Sequence, residues 1–220
     1  MKKVLIVDDD AIFLKTIVNN LEKHKGDFEV ITAGDGAAAI HLLGKESADL
    51  LITDIKMPKI DGITLLAYVN EYHPKIPCFA MTAYETPEIR KQLPDDILRF
   101  LKKPFPLDTL GDTIQKALSR DVPRGAMGGI SVASFLMMIE MERKTCLFEV
   151  LLPDGKNGFF YFSKGIMQNA VYGPLTGDDG AMMLIAQGKG KAQFKFKPLP
   201  DKKIIPSIEK SLPELLKAAH

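Results

Sequence analysis

Five short apolar segments, each followed by a helical pattern, make up most of residues 1–120. The segments are Val4–Val7, Phe28–Thr32, Asp49–Thr53, Pro77–Met81 and Ile97–Leu101. The first is continuously apolar and rich in β-branched residues, which is typical of a strand buried on both faces of a parallel sheet. Strand and helix alternating in this way predict an α/β fold, a doubly wound five-stranded parallel sheet with right-handed crossovers.

Polar residues follow these segments where each predicted strand ends. Asp8 and Asp9 follow the first strand, Asp54 the third, Thr82 the fourth and Lys103 the fifth. Each also has a plain structural explanation, because Asp is a common helix cap, and turn residues and surface lysines are frequent. The carboxyl ends of parallel strands share one edge of the sheet, however, and ligands bind at that edge. The occurrence of these polar residues together at one edge therefore predicts one functional site.

The chemistry of this predicted site follows from its charges. Three carboxylates a few ångströms apart need a counter-charge, of which Lys103 supplies one. A divalent cation would supply the rest, and oxygen ligands with room for water suit Mg²⁺. Such a site would position a phosphoryl group for attack by Asp54, giving an acyl phosphate. Thr82 could donate its hydroxyl to a phosphoryl oxygen and Lys103 could hold another.

The first half of the chain resembles the CheY-like receiver domain of two-component response regulators, a flavodoxin-like fold. The resemblance covers residues 1–121. It rests on four motifs in order: Val7-Asp8-Asp9, the stretch from Asp54 through Lys56-Met57-Pro58 to Asp61-Gly62, Met81-Thr82-Ala83, and Lys103-Pro104-Phe105. One departure is the segment after Thr82, where a short helix beginning at Thr86-Pro87 must end at Pro94 instead of at a small, Gly/Ala-rich turn.

The resemblance implies a role for each site residue. It implies Asp54 as the phosphoacceptor, supplied by a sensor histidine kinase. It implies Mg²⁺ held by Asp9, Asp54 and the Lys56 carbonyl, with Asp8 acting through water. It implies a switch pair of Thr82 and Phe100 and a cis Lys103–Pro104 bond. The expected chemistry is self-catalysed phosphoryl transfer and autodephosphorylation, not that of an enzyme acting on other substrates.

Bulk properties exclude several functions. The net charge of +1 gives no strong field toward nucleic acid or membrane. Cys78 and Cys146 are too far apart in sequence to form a metal-type or redox-type pair, which fits a reducing compartment. No apolar stretch approaches the roughly 20 residues of a membrane span. We expect a cytoplasmic protein without membrane contact.

The second half is predicted to be a smaller α+β domain, residues 129–220, joined by a short linker at 122–128. A helix starts at Ser131, and four strands form an antiparallel meander: Thr145–Leu152, Gly158–Phe162, Ile166–Tyr172 and Ala192–Phe196. A further helix follows Thr176, and Ser211 with Glu214 fits a capping box before a last helix.

This half resembles the small domain known as PATAN or DUF4388. The resemblance rests on Lys144-Thr145-Cys146-Leu147, on Gly158-Phe159-Phe160-Tyr161-Phe162 with Gly165, Met167 and Ala170, on Gly180-Ala181, and on Gly190, Ala192, Phe194 and Phe196. It implies signalling by protein–protein contact with a downstream partner. A homodimer is left open.

An alternative function is nucleic-acid binding by the basic strip 189–203, in which Lys191, Lys195 and Lys197 alternate with Phe194 and Phe196. The interpretation we favour is an edge strand whose lysines block aggregation. Another alternative is a phosphate sink, in which the second domain is passive.

Overall fold

The computed structural model describes residues 1–82, 98–119, 130–189, 192–201 and 204–219. Contacts divide the chain into two compact units. The first unit contains the described residues up to 119, and the second contains those from 130 onward. Within the described residues, no helix is both long and apolar enough to cross a membrane.

The first unit is built on a parallel sheet. Its strands are β1 (Lys2–Val7), β2 (Phe28–Ala33), β3 (Leu50–Asp54), β4 (Cys78–Thr82) and β5 (Leu98–Lys102). They lie in the order β2-β1-β3-β4-β5, and every neighbouring pair is parallel. The prediction of a doubly wound five-stranded sheet is confirmed.

Among the described residues of this unit, four helices accompany the sheet: α1 (Ala11–Leu21), α2 (Gly36–Leu43), α3 (Gly62–Tyr72) and α4 (Leu110–Ser119). The last predicted helix was expected from about Leu107, but Leu107–Thr109 is a 3-10 turn that leads into α4. The helix predicted between Thr86 and Pro94 lies outside the described residues. The Lys103–Pro104 bond is cis, as the resemblance implies.

The continuous apolar strands form the centre of the first unit. Val4, Ile6, Leu50 and Ile52 have no exposed surface, and they pack with apolar residues of α1 and α4 in one cluster. Because the central parts of β1 and β3 are buried on both faces, their charged residues lie at the strand ends, or directly after them. The fold therefore brings the polar residues that follow these strands to the carboxyl edge of the sheet.

The second unit has a five-stranded antiparallel sheet. Its strands are β6 (Cys146–Leu151), β7 (Asn157–Ser163), β8 (Ile166–Tyr172), β9 (Leu175–Thr176) and β10 (Gln193–Lys197), in the order β10-β6-β7-β8-β9. The four predicted strands are present. The two-residue β9 was not predicted, because so short a strand has no sequence periodicity.

The second unit also has three helices in the part of the chain that the structure describes: α5 (Val132–Met141), α6 (Gly177–Gln187) and α7 (Leu212–Ala218). In α5 every residue from Val132 to Ile139 is buried, and the Phe135 ring stacks on Phe194 with centroids 4.0 Å apart. The predicted capping box is present, since Ser211 N donates to Glu214 Oε2 at 2.8 Å. This unit thus has an aromatic core of its own.

Candidate functional site

The carboxyl edge of the parallel sheet brings together side chains that are distant in sequence. Asp8 follows β1, Asp54 ends β3 and Lys103 follows β5. Lys103 Nζ donates to Asp8 Oδ2 at 2.7 Å and to Asp54 Oδ1 at 2.5 Å. Asp8 is 2% exposed and Asp54 is 9% exposed, so this ion-paired group is largely withdrawn from water.

Backbone amides hold the other oxygen of each carboxylate. Lys56 N donates to Asp54 Oδ2 at 2.7 Å, and Asp10 N donates to Asp8 Oδ1 at 2.9 Å. Each carboxylate is thus held at one oxygen by Lys103 and at the other by a backbone amide, and these two hydrogen bonds fix its orientation. Both donors come from the turns that follow β3 and β1, so the ends of the strands themselves position the acids.

The loop after β3 is fastened by α3 and by α2. Asp61 caps α3 by accepting from Thr64 N at 2.8 Å, and Gly62 N donates back to Ile55 O at 2.9 Å. Lys59 has a positive φ of 65° and its Nζ lies 2.5 Å from Asp35 Oδ2. These contacts set the path of the chain that carries Lys56.

Burial and charge shift the pKa of both central groups. Burial raises the pKa of Asp54, the Asp8 carboxylate adds to this, and Lys103 and the Lys56 amide oppose it. Burial alone would lower the pKa of Lys103, but hydrogen bonds to Asp54 and Asp8 outweigh burial and raise it. The ammonium therefore stays charged, while two carboxylates share a single positive charge.

The predicted acids are not all equivalent. Asp9 is exposed, whereas Asp8 and Asp54 are buried beside Lys103. Over the described ranges, no three Asp, Glu, His or Cys side chains are grouped closely enough to form a metal site. The structure thus groups two of the three carboxylates that the sequence predicts at this edge.

The remaining predicted residues have different environments. Thr82 is 2% exposed at the end of β4, and its carbonyl accepts from Lys103 N at 2.7 Å. Phe100 is half-buried on β5, opposite Ala80 of β4. Lys56 is exposed in the loop after β3. The segment between Thr82 and Phe100 is described only from Leu98 onward.

Two aromatic residues at the site were not predicted from the sequence. The Phe13 ring centroid lies 4.7 Å from Lys103 Nζ, and Phe105 meets Phe13 edge-on with centroids 6.1 Å apart. Phe105 follows Lys103 within a quoted motif, whereas Phe13 belongs to none of the four motifs. The sequence signal that could have indicated Phe13 was Asp10. Its side chain caps α1, and the start of the helix sets the side of α1 on which Phe13 lies.

Comparison with known proteins agrees with this fold. The family model described as the response regulator receiver domain matches residues 4–115. The chain belongs to the response regulator receiver domain family. Sporulation initiation phosphotransferase F of Bacillus subtilis is 31% identical over 118 residues, which are 53% of this chain and 94% of that protein.

Other relatives are much longer than the shared segment. Transcriptional regulatory protein GlrR of Escherichia coli is 32% identical over 121 residues, 54% of this chain but 27% of that regulator. The chain therefore spans about a quarter of that relative's length. Among solved structures, the chemotaxis response regulator CheY4 of Vibrio cholerae is 31% identical, with a TM-score of 0.46, over 54% of this chain and 99% of that one.

Proposed function

We propose that this chain is a response regulator in which Asp54 accepts a phosphoryl group from a sensor histidine kinase and the second unit passes the signal to a partner protein. One observation carries the proposal. Asp54 ends a buried strand with one oxygen on Lys103 Nζ at 2.5 Å and the other on Lys56 N at 2.7 Å. A carboxylate held in this way is oriented for attack.

The transfer balances without a further reactant besides water. An Asp54 carboxylate oxygen attacks phosphorus, the bond between phosphorus and the kinase imidazole nitrogen breaks, and that nitrogen keeps the electron pair and takes a proton from water. Lys103 is placed to hold a phosphoryl oxygen as Asp54 loses its free charge. Thr82, at the end of the neighbouring strand, is proposed to donate its hydroxyl to another.

The residues at the site fit Mg²⁺. Asp8 and Asp54 share one ammonium, so two negative charges face a single positive charge, and burial, with the Asp8 carboxylate adding to it, raises the pKa of Asp54. Asp9, Asp54 and the Lys56 carbonyl would hold the ion, with Asp8 acting through water, and all of these are the oxygen ligands that Mg²⁺ prefers. When bound, the ion would offset the charge of the phosphoryl group.

Thr82 and Phe100 are the proposed switch. The phosphoryl group brings about −1.5 to −2 charge to Asp54, whose own carboxylate charge is lost when the acyl phosphate forms. Each new hydrogen bond to that charge is worth about 1.5–3 kcal/mol. Two such bonds together come close to the free energy needed to reverse a two-state equilibrium almost completely, which is about 5.5 kcal/mol. The half-buried side chain of Phe100 leaves it room to become more buried.

The second unit, which we assign to residues 129–220 after a linker at 122–128, is proposed to be a PATAN/DUF4388-type output module. The receiver domain is assigned to residues 1–121. The aromatic core around Phe135 and Phe148 gives the second unit a stable scaffold. Nucleic-acid binding by the basic strip is less well supported. Lys197 lies on the edge strand β10, and its Nζ is 2.7 Å from Glu149 Oε2, so its charge is already paired within the protein.

Chemical labelling tests the phosphoacceptor. Incubation with radiolabelled acetyl phosphate and Mg²⁺ is expected to give an acid-stable, base-labile adduct that Asp54→Asn does not form. Asp49→Asn is the matched control, since Asp49 immediately precedes the same strand and accepts from Lys3 N at the opposite end. Equal labelling of Asp54→Asn and the unmodified chain would refute the assignment.

The nucleic-acid alternative is tested by binding to mixed DNA and RNA at low and moderate salt. We expect only weak binding that disappears as the salt concentration rises. A few exposed lysines contact only phosphates, and the counterion release that drives such binding is suppressed by salt. Tight binding that persists at moderate salt and is lost on neutralising Lys195 and Lys197 would favour the alternative.

A further inference from the structure

An aromatic side chain lies against the ammonium of Lys103. The Phe13 ring centroid is 4.7 Å from Nζ, within the distance at which a cation is attracted to a ring face. Lys103 is also paired to Asp8 and Asp54, and 27% of its side chain is exposed. The ammonium is thus held by two negative groups and by one neutral ring.

The start of α1 determines where this ring lies. Asp10 caps the helix, and its Oδ1 accepts from Ile12 N at 2.9 Å and from Phe13 N at 3.0 Å. Phe105 supports the ring, meeting it at an interplanar angle of 74°. The cap and Phe105 together limit the positions that the Phe13 ring can take.

We propose that Phe13 is a positioning residue for phosphoryl transfer, whose ring face holds the Lys103 ammonium over the acidic pair before and after Asp54 reacts. This inference rests on the proposed function and deepens it. Phe13 does not touch the reacting atoms, and it acts through Lys103.

The physical reason is that the ring does not change charge during the reaction. Before transfer, Lys103 is drawn to Asp8 and Asp54, but Asp54 loses its free carboxylate when it becomes an acyl phosphate. A lysine has a flexible four-carbon stem, so its ammonium can move when a partner changes. The attraction of the ring persists throughout and keeps the ammonium where the phosphoryl oxygen arrives.

A purely structural role must be separated from this one, because Phe13 also packs against the apolar cluster of the first unit. The electron density on the ring face distinguishes the two roles. Fluorination of a ring withdraws electron density from its face while keeping its shape and apolar surface. A core residue tolerates this change, whereas a ring that attracts a cation does not.

The test measures the rate at which acetyl phosphate labels Asp54 in the full chain carrying mono-, di- or trifluorinated phenylalanine at position 13. We expect a stepwise decrease with each added fluorine, reaching roughly threefold to tenfold for the trifluorinated ring. Phe13→Leu is expected to match the trifluorinated variant, and Phe13→Tyr to restore most of the rate. The same fluorinated residues at Phe160, a buried ring stacked on Phe148, are the control and should leave the rate unchanged.

A second measurement does not depend on phosphorylation. The Cε protons of Lys103 should be shifted upfield in the NMR spectrum by the ring current of Phe13, and Phe13→Leu should remove the shift. Absence of this shift in the unmodified chain would overturn the proposed contact. A labelling rate insensitive to fluorination would overturn the role of Phe13 alone, whereas a failure of Asp54 to be labelled in any variant would overturn the proposed function and this role with it.

Discussion

At the scale of single residues, the site is arranged for chemistry at the expense of stability. Asp54 is buried beside a second carboxylate, and burial raises its pKa. A raised pKa means that the folded protein binds a proton at Asp54 more tightly than the unfolded chain does. The ionised carboxylate that the reaction needs is therefore unfavourable to folding, a cost common at functional sites.

The first prediction concerns Asp54→Asn. The folded-state pKa of Asp54 lies above the unfolded value, so the native chain has this stabilisation at low pH and loses it as pH rises through the folded pKa. The Asn side chain is neutral at every pH, so the variant does not lose stability as the pH rises. We therefore expect Asp54→Asn to be more stable than the native chain at neutral pH by about 0.5–2 kcal/mol. Thermal unfolding of the first unit measures the difference, which should shrink as the pH falls. A variant less stable than the native chain at pH 7 would contradict this account.

A second residue-scale prediction concerns Thr82→Ala. We expect this variant to be labelled at Asp54, because the nucleophile and Lys103 remain in place. Its response should be weaker, since the hydroxyl proposed to follow the phosphoryl group is gone. Hydrogen exchange in β4 and β5, measured with and without phosphorylation, checks this. A response equal to that of the native chain would remove Thr82 from the switch.

At the scale of elements, the start of α3 packs directly against the end of β3. A Cβ on Gly62 would lie 2.1 Å from Asp54 O and 2.8 Å from Ile55 Cα, both backbone atoms. Neither can move aside as a flexible side chain would. The glycine is therefore required by close approach between a helix and the strand that carries the nucleophile.

The third prediction follows from this contact. Gly62→Ala should destabilise the first unit by about 1–3 kcal/mol, the cost typical of overpacking, and should slow labelling of Asp54 by displacing it. Gly34→Ala is the matched control, because a Cβ there meets nothing within 4 Å. Urea unfolding and labelling rates measure both effects. Equal stability of the two variants would show that the helix can shift without cost.

The edge of the second sheet gives the fourth prediction. β10 lies at one end of the strand order, and Lys195 and Lys197 are exposed on it. Replacing both by valine should promote association through the strand edge, because charged edge strands resist pairing with another chain. Light scattering after gel filtration detects this. Lys156→Val, in the turn between β6 and β7, is the control and should leave the molecular mass unchanged.

At the scale of the whole molecule, the chain divides into two units, each with its own sheet and buried core. The cluster around Ile6 and Ile52 belongs to the first unit, and the rings around Phe135 belong to the second. A core that is complete within one unit supplies most of the apolar burial on which folding depends.

The fifth prediction is that residues 1–121 and 129–220 fold separately. Each fragment should unfold cooperatively in calorimetry, and the first should still be labelled at Asp54. If the second unit is the output module, removing residues 129–220 should abolish signalling although labelling continues. Signalling that survives the deletion would instead support the phosphate sink.

The parallel sheet, and the edge of it that carries the site residues, could be predicted from the order of apolar segments and helical patterns along the chain. The apolar segments from Val4 to Leu101 specify buried strands, and the right-handed connection rule leaves few ways to arrange them. Residues that follow strands must then meet at one edge, which is why Asp8, Asp54 and Lys103 could be grouped in advance. The antiparallel meander was predictable for a similar reason, since alternation and turn residues are local signals.

The contacts between individual side chains could not be predicted in this way and are known from the packed fold. Lys103 is 95 positions from Asp8 and 49 from Asp54, and their distances depend on strand register and on the side-chain conformations that packing allows. For the same reason the sequence did not show that Asp8 rather than Asp9 is buried with Lys103, or that Phe13 turns its ring toward the ammonium. Local patterns fix the periodicity of a strand or helix, whereas contacts between elements depend on how the whole chain packs.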